Sequence, residues 1–155
     1  KGRRGFSRFF LFVRRVAWMK EKGIRQWDQY YLDAYPLSYY QRQQEKGLLY
    51  VLKKDGCIAG AAVLLSTDHR WPDGESTSAF YLHNLTTDPA SSGAGRELLR
   101  AAETLARREK KRFLRLDCSI YSQFLNTYYE TAGFRLVGRC TDGPYEGNRR
   151  EKFLG

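Results

Sequence analysis

The sequence contains no apolar run long enough to cross a bilayer, which takes roughly 18 residues. The stretch from Phe6 to Val16 comes closest, but Arg8, Arg14 and Arg15 interrupt it. No small-residue cleavage site follows it, as one would in a signal peptide. We therefore expect a cytoplasmic protein that has no membrane partner.

Cysteine is scarce and is not arranged as in a metal site. The three cysteines, Cys57, Cys118 and Cys140, include no closely spaced pair of the kind that binds zinc, and their number is odd. Cys57 and Cys118 fall inside strand-like runs, where a free thiol behaves as a small buried apolar group. We expect buried free thiols at these two positions, a reducing compartment and no bound metal.

Positive charge, in contrast, is abundant. The chain has 155 residues, of which 27 are Lys or Arg and 17 are Asp or Glu, giving a formal net charge of +10. This excess favours anionic partners, which include nucleic acid, membrane surfaces and phosphorylated cofactors. Helix-turn-helix, zinc and RNA-recognition signatures are missing, so we do not expect a nucleic-acid partner, although a basic nucleic-acid-binding module is one alternative. The length and the 42% hydrophobic content predict a single domain over residues 1–155.

Hydrophobic periodicity and turn residues predict the secondary structure. In chain order they predict a helix from Phe6 to near Gly23, a helix from Pro36 to Glu45, strands Leu48–Lys53, Cys57–Leu65 and Ser78–Thr87, a helix Gly93–Glu109, a strand Arg112–Cys118, a helix Gln123–Ala132, and strands Phe134–Thr141 and Arg149–Leu154. The Lys54-Asp55-Gly56 sequence is a strong hairpin signal. A strand–helix–strand crossover in the middle of the chain requires a parallel pair beside antiparallel neighbours, so the prediction is a mixed sheet covered by helices.

A short glycine-rich loop lies between a predicted strand and a predicted helix. This glycine loop reads Asp88-Pro-Ala-Ser-Ser-Gly-Ala-Gly95. Gly93 and Gly95 allow a ligand to approach the backbone closely, and the unpaired amides at the start of the helix favour an anion such as a pyrophosphate. Taken alone the feature is weak evidence, because a glycine pair before a helix is more often only a turn.

The segment Gly93-Ala-Gly-Arg-Glu-Leu-Leu-Arg-Ala-Ala-Glu103 resembles the cofactor motif of the GNAT superfamily of N-acetyltransferases. Downstream, Arg115–Cys118 and Tyr128-Tyr-Glu-Thr-Ala-Gly-Phe134 are similar to the family's fifth strand and its Y-E-x-x-G-F helix end. Gly23–Trp27, the hairpin at Asp55-Gly56 and Arg150–Leu154 also fall where the family has corresponding elements. The resemblance covers almost the whole chain and is most specific from Tyr81 to Phe134.

The resemblance implies an α/β fold: a GNAT-like mixed, mostly antiparallel sheet flanked by helices, with a splayed parallel pair at the family's fourth and fifth strands. The family's first strand has no clear counterpart before Phe6, which a truncated or processed N-terminus would explain. The implied activity is that of an acetyl-CoA-dependent N-acetyltransferase, which moves an acyl group directly to a primary amine of a small molecule or peptide. The implied assembly is a monomer or homodimer.

The resemblance also implies which residues bind coenzyme A. Backbone amides of the fourth strand would hold the pantetheine, the glycine loop would hold the pyrophosphate, and one residue would come from the later helix; the positions are Leu85, Thr86, Thr87, Ser91, Ser92, Gly93, Ala94, Gly95, Arg96 and Ser122. The sequence departs from the family pattern at three positions, one of which is Ser91, where the family frequently has Gly. Ala90 stands where the family has Gln or Arg, and Ser122 stands where it commonly has Asn. A degenerate relic that binds acyl-CoA with little catalysis is therefore a second alternative.

The candidate catalytic residues are Tyr129 and His83. Tyr129 matches the family tyrosine that protonates the departing thiolate, and a phenol with a reference pKa of about 10 can donate that proton at neutral pH. His83 shares a strand face with Tyr81 and Leu85 if side chains alternate, and a neutral imidazole could deprotonate the incoming ammonium directly or through water. The alternative for Tyr128 and Tyr129 is packing in the core, and for His83 a bond to a neighbouring backbone group.

Three carboxylates are weaker candidates for the base. Glu75 and Glu146 are predicted to lie on loops, and Asp117 is predicted to face away from the site. The acceptor pocket would be lined by aromatic side chains, of which about half would serve only packing: Trp27, Tyr30, Tyr31 and Trp71.

Overall fold

The computed structural model of the chain describes residues 34–75 and 78–155. Their elements, in chain order, are α1 (Leu37–Glu45), β1 (Leu49–Lys54), β2 (Cys57–Leu65), β3 (Ala79–Thr87), α2 (Ala94–Arg108), β4 (Phe113–Ser119), α3 (Gln123–Thr131), β5 (Arg135–Asp142) and β6 (Tyr145–Phe153). The sequence predicts the same order, and most ends differ by about one residue. The predicted helix that begins at Phe6 lies outside the described residues.

Strand β6 is longer than its sequence indicates, because it begins at Tyr145 rather than Arg149. Its first two residues pair with β5, and from Gly147, which lies opposite Ser119 of β4 and Cys140 of β5, the strand is paired on both sides. Pairing with two neighbours overrides the low strand propensity of Glu, Gly and Asn.

A two-residue turn joins β1 to β2. Asp55 and Gly56 both have positive φ, 51° and 77°, as a type I′ turn requires, and Lys54 pairs with Cys57 across it. Cys57 is exposed, so the prediction that it is buried is wrong: it lies at the strand end beside the turn. Cys118 is buried as predicted.

The strands form one mixed sheet in the order β1-β2-β3-β4-β6-β5. Strands β3 and β4 are parallel, whereas β1 with β2, β4 with β6, and β5 with β6 are antiparallel. The parallel register covers three pairs, from Ala79 with Phe113 to Tyr81 with Arg115. The predicted fold class, with its parallel pair in a mostly antiparallel sheet, is confirmed.

Strand β3 contains a residue in the left-handed region. Asn84 has φ 56° and is buried, and its Oδ1 accepts a hydrogen bond from the hydroxyl of Tyr39 at 3.0 Å. A non-glycine residue with positive φ interrupts the regular alternation of side chains along a strand. Alternation therefore groups His83 with Tyr81, but it does not extend across Asn84 to Leu85.

The described residues divide into two compact units. Boundaries between them fall within β3 and α2, so each of these elements contributes residues to both units. The first unit contains residues 34–64 and Asn84–Arg100, and the second contains Leu65–His83 and Ala101–Gly155, without residues 76–77. In the first unit α2 packs closely over β2, since a Cβ on Gly60 would lie 2.6 Å from Cδ1 of Leu98. Among the described helices, none is both long and apolar enough to span a membrane.

Candidate active site

The loop between β2 and β3, in the second unit, folds back on itself and fixes Asp68. The amide of Asp68 donates to the carbonyl of Gly74 at 2.8 Å, and the amide of Trp71 donates to the carbonyl of Asp68 at 3.2 Å. A Cβ on Gly74 would lie 1.7 Å from that carbonyl oxygen. Only glycine fits at this position, and the close approach holds the Asp68 backbone in place.

Trp71 anchors the same loop in the core. It is 5% exposed and packs with Ala79 and Tyr81, and the guanidinium of Arg115 lies 4.6 Å from its ring centroid. Arg115 also donates to both carboxylate oxygens of Asp73, each at 3.0 Å. The sequence predicts that Trp71 lines an acceptor pocket, whereas its observed contacts are those of a packing residue.

His83 meets two carboxylates, from Asp68 and Asp117. Its Nε2 lies 2.7 Å from Oδ2 of Asp68. Asp68, His83 and Asp117 bring one nitrogen or oxygen atom each within 4.8 Å of one another. Their side chains are 2%, 11% and 4% exposed. We call these three residues the His83 cluster; the partner of His83 is a carboxylate rather than the backbone group considered above.

The prediction that Asp117 faces away from the site is wrong, and the parallel register explains why. Tyr81 pairs with Arg115, and the hydroxyl of Tyr81 accepts from Nη1 of Arg115 at 3.0 Å, so these side chains share a face. Two residues further along each strand, His83 and Asp117 lie on that same face, and one atom of each lies within 4.8 Å of the other.

Asp117 uses only one of its two oxygens. Oδ1 accepts from the hydroxyl of Tyr145 at 2.6 Å and from Nη1 of Arg70 at 3.1 Å. Oδ2 is buried and has no hydrogen-bond partner among the described residues. The His83 cluster is the group of described side chains that could hold a metal ion. Among the described residues, Asp68 contacts His83, and Asp117 contacts Arg70 and Tyr145.

The ionisation of the cluster follows from its contacts. Burial acts to raise the pKa of Asp68, but the hydrogen bond with His83 and the charges of His83 and Arg70 outweigh it and hold that pKa below its usual value. Burial, followed by the nearby carboxylate of Asp117, raises the pKa of Tyr145. At neutral pH Asp68 is therefore a carboxylate and Tyr145 a neutral phenol.

Tyr129 is the more buried of the two adjacent tyrosines, at 7% exposed. Its ring meets Tyr128 edge-on at 5.3 Å and Phe134 at 5.9 Å. Burial, with smaller contributions that include the Asp117 charge, raises the pKa of Tyr129. Within the described part of the chain its hydroxyl makes no hydrogen bond. Because its pKa is raised, the phenol is protonated at neutral pH and can donate a proton.

The glycine loop lies in the first unit and is shaped by Asp88. The amide of Asp88 donates to the carbonyl of Ala59 at 2.8 Å, and its Oδ1 accepts from the amide of Ala90 at 3.0 Å. Gly93 is exposed with φ 79°, and no atom lies within 4 Å of a Cβ placed on it. The backbone just before α2 is therefore open to a ligand.

The other predicted cofactor residues differ in exposure. Ser92 is exposed, Ala94 is buried, and the remainder of the loop and strand positions are half-buried apart from Thr86: Leu85, Thr87, Ser91, Gly95 and Arg96. Thr86 is 2% exposed, and its Oγ1 has no hydrogen-bond partner in the described chain. Ser122 is buried, and its Oγ accepts from the amide of Leu125 at 3.2 Å, so it caps α3.

The remaining candidates are scattered. Glu75 is exposed, and Glu146 accepts a hydrogen bond from the hydroxyl of Tyr121. Three predicted pocket residues lie outside the described residues: Trp27, Tyr30 and Tyr31. Sequence reasoning missed Asp68, Arg70 and Tyr145, because nothing in the local sequence shows that a loop residue and residues of two other elements meet at His83.

Known proteins resemble this chain over most of its length. A sequence model of the acetyltransferase (GNAT) family matches residues 12–134. YesJ of Bacillus subtilis (strain 168), named an uncharacterized N-acetyltransferase, is 31% identical over 141 residues, which cover 86% of this chain and 77% of YesJ.

Solved structures of acetyltransferases have a similar fold. A GNAT-family acetyltransferase from Listeria monocytogenes 4b F2365 matches with a TM-score of 0.74 and 24% identity, over 94% of this chain and 86% of that one. The structure of yncA from Salmonella typhimurium, determined with its cofactor acetyl-CoA, matches with a TM-score of 0.57 and 20% identity, over 77% and 72% of the two chains.

Proposed function

The chain belongs to the acetyltransferase (GNAT) family, and from that premise we propose that it transfers the acetyl group of acetyl-CoA directly to a primary amine of a small molecule or peptide. The observation that carries the proposal is the 2.7 Å contact between Nε2 of His83 and Oδ2 of Asp68, in a cluster with Asp117. Burial raises the pKa of Cys118 to about 12 and that of Cys140 to about 11, so these two thiols are poor nucleophiles at neutral pH, which fits direct transfer.

Features of the first unit fit acetyl-CoA. The backbone around Gly93 is open, and α2, which starts at Ala94, offers amides and the positive end of its dipole to phosphates. Thr86 has a buried hydroxyl without a partner, which a polar group of the pantetheine would satisfy. The proposed contacts are Leu85, Thr86, Thr87, Ser91, Ser92, Gly93, Ala94, Gly95, Arg96 and Ser122. When bound, acetyl-CoA supplies the acetyl group as an activated thioester.

His83 is the proposed base, and the contact with Asp68 decides which nitrogen acts. If Nε2 carries the proton that it donates to Asp68, the lone pair of the neutral ring is on Nδ1. Nδ1 of His83 then takes one proton from the ammonium of the acceptor. Asp68 is a positioning residue, because its carboxylate fixes the tautomer and orientation of the imidazole.

Tyr129 is the proposed acid. Its phenol stays protonated at neutral pH, because burial raises its pKa. Its hydroxyl makes no hydrogen bond to another described residue. Tyr129 gives its proton to the departing sulfur and is reprotonated by the second proton of the amine nitrogen. In the whole reaction a C–S bond breaks, a C–N bond forms, and one proton leaves through His83.

Substitution of the two histidines tests the proposal, since the chain contains only His69 and His83. His83→Ala should lower turnover with acetyl-CoA and an amine about 10²–10⁴-fold. His69→Ala is the matched control, because that side chain is exposed and pairs with Asp142. Equal turnover in the two variants would contradict the assignment of His83.

Binding separates an enzyme from a degenerate relic. Acetyl-CoA at about 100 times its dissociation constant should stabilise the wild-type protein by roughly 2.7 kcal/mol in thermal unfolding. Stabilisation without turnover on any amine of a broad panel would favour the relic. No stabilisation and no calorimetric heat at saturating coenzyme A would refute both.

A further inference from the structure

Arg70 joins the loop that carries Asp68 to three residues of the sheet. Its amide donates to Oδ1 of Asp68 at 2.9 Å. Its guanidinium donates through Nη1 to Oδ1 of Asp117 at 3.1 Å and through Nε to Oδ2 of Asp142 at 3.1 Å. The same group lies 4.7 Å from the ring centroid of Tyr145. One side chain, 12% exposed, therefore contacts residues of β4, β5 and β6.

The residues around the guanidinium are themselves fixed by the pairing of β5 with β6. Asp142 and Tyr145 lie opposite each other in that register. A Cβ on Gly147 would lie 2.8 Å from Cε1 and from the hydroxyl oxygen of Tyr145, so the Tyr145 side chain lies over Gly147. From there its hydroxyl donates to Oδ1 of Asp117 at 2.6 Å. Glycine at position 147 therefore leaves room for Tyr145 to reach Asp117.

Charge strengthens the hold on Arg70. Burial acts to raise the pKa of Asp142, but the hydrogen bonds with Arg70 and His69 outweigh it and keep that pKa below its usual value. At neutral pH Asp142 is therefore a carboxylate, and a guanidinium is always a cation. A planar guanidinium that donates to two carboxylates is held in one orientation, which the point charge of a lysine ammonium does not achieve.

Both oxygens of Asp68 are in use, and by different partners. The amide of Arg70 donates to Oδ1, and Nε2 of His83 lies 2.7 Å from Oδ2. A turn in which an Asp side chain bonds the amide two residues later is common in loops. Here the turn ties the direction of the carboxylate to the position of one backbone amide, and the anchored side chain of Arg70 holds that amide in place.

Resting on the proposed function, we infer that Arg70 is a positioning residue: it holds Asp68 so that Oδ2 keeps the proton of His83 on Nε2 and the lone pair of the ring on Nδ1. Its effect on the reaction is exerted through Asp68. When Arg70 is displaced, Asp68 turns and the ring takes up both tautomers. Only the molecules with a free Nδ1 in the correct place then accept the proton of the amine.

Arg70→Lys tests the inference, because an ammonium keeps the charge but lacks the planar fork that reaches both carboxylates. It should lower kcat about 10–100-fold, since a misplacement of about 1 Å costs on the order of 10²-fold. The KM for acetyl-CoA should stay within about twofold, because none of its proposed contacts involves Arg70. Tyr145→Phe, which keeps the ring and removes the hydroxyl, should lower kcat less. Arg139→Lys, at an exposed position of β5, is the matched control and should leave kcat within about twofold.

The tautomer of His83 gives a second readout, which a purely structural role of Arg70 would not change. The chain has two histidines, and His69→Ala assigns their ring-nitrogen NMR signals. At about pH 9, where an ordinary imidazole is neutral, the wild type should carry the His83 proton on Nε2 alone, and Arg70→Lys should show both tautomers. A wild type with the proton on Nδ1 would overturn the inference. An unchanged tautomer or an unchanged kcat in Arg70→Lys would overturn it as well.

Folding and the proposed function are checked separately. If Arg70→Lys does not fold, the double variant Asp142→Asn, Tyr145→Phe replaces it under the same criteria, because it removes one charge and one hydroxyl from the residues around the guanidinium. No turnover of any amine by the wild type would refute the proposed function. The tautomer measurement needs no substrate, so it would still decide whether Arg70 positions His83 through Asp68.

Discussion

The glycine loop and the His83 cluster are built in opposite ways. Backbone hydrogen bonds around Asp88 shape the loop, and Gly93 leaves open space where a side chain would be. The cluster is buried and consists of contacts between side chains from a loop and two strands. A surface made of amides tolerates changes of side chain, whereas a cluster of three side chains fails when one atom is lost. We therefore expect the glycine loop to tolerate substitution and the His83 cluster to lose function when a side chain is changed.

The largest effect is expected from Tyr129→Phe. The change deletes one hydroxyl that has no partner in the described chain, so stability should hardly change, while turnover should fall about 10²–10⁴-fold with acetyl-CoA affinity retained. Steady-state kinetics and calorimetry check the two halves of this prediction. Tyr128→Phe is the control and should lower turnover far less; similar small losses in both variants would assign Tyr129 to packing.

Gly74→Ala should be the most harmful change to the backbone. Its Cβ would lie 1.7 Å from the carbonyl oxygen of Asp68, so the loop must move, at a cost of about 3 kcal/mol of unfolding free energy, and turnover should fall with it. Urea denaturation measures the first effect. Gly47→Ala is the control: Gly47 has φ 73° with nothing within 4 Å, so it should lose only about 1 kcal/mol and no activity. Similar losses in both variants would mean that the loop adapts.

Tyr129 and Asp68 differ in how much of their position can be predicted from the sequence. The resemblance of Tyr128–Phe134 to the family's Y-E-x-x-G-F helix end predicts the role of Tyr129, and local turn chemistry predicts the hairpin at Asp55-Gly56, because both signals lie within a few adjacent residues. Asp68 gives no such signal: it becomes part of the cluster only through the path of its loop. The position of Asp117 depends on the register of two parallel strands that an entire helix separates in sequence, and local patterns do not determine that register.

Gly60→Ala should destabilise the first unit by about 1–3 kcal/mol, because the new Cβ would lie 2.6 Å from Cδ1 of Leu98 and 3.0 Å from the carbonyl oxygen of Thr86. Chemical denaturation gives the value. If the Leu98 contact is the cause, Gly60→Ala combined with Leu98→Ala should lose less than the sum of the two single variants. Strict additivity would place the strain elsewhere.

Gly93→Ala should have a smaller effect, and it bears directly on the tolerance of the glycine loop. The space for a Cβ is free, so only the left-handed φ of 79° opposes alanine, at about 1–2 kcal/mol. Thermal unfolding with and without acetyl-CoA should show a modest loss of stability and retained binding. A loss of binding greater than tenfold would show that the loop is as sensitive as the cluster.

The last effect appears only in acid. Asp68 has a lowered pKa in the folded protein, so its contribution to stability is present above the unfolded pKa of about 3.9 and is lost as the pH falls through the folded value. The free energy of unfolding of the wild type should therefore fall more steeply below about pH 4 than that of Asp68→Asn. Parallel curves for the two proteins would mean that His83 and Arg70 do not stabilise this carboxylate.

The tight turn at Asp55 and Gly56 also sets an order of events during synthesis. Strands β1 and β2 are neighbours in the chain, and a hairpin of this kind forms in about 1–10 μs. Helix α2, which covers β2 at Gly60 through Leu98, emerges from the ribosome seconds later at roughly 5–20 residues per second. During that interval the part of β2 around Gly60 lacks the cover that Leu98 of α2 gives it in the folded protein. Lys53 and Lys54 lie at the end of β1, an edge strand among the described strands, and charged side chains at such an edge disfavour pairing with another hairpin.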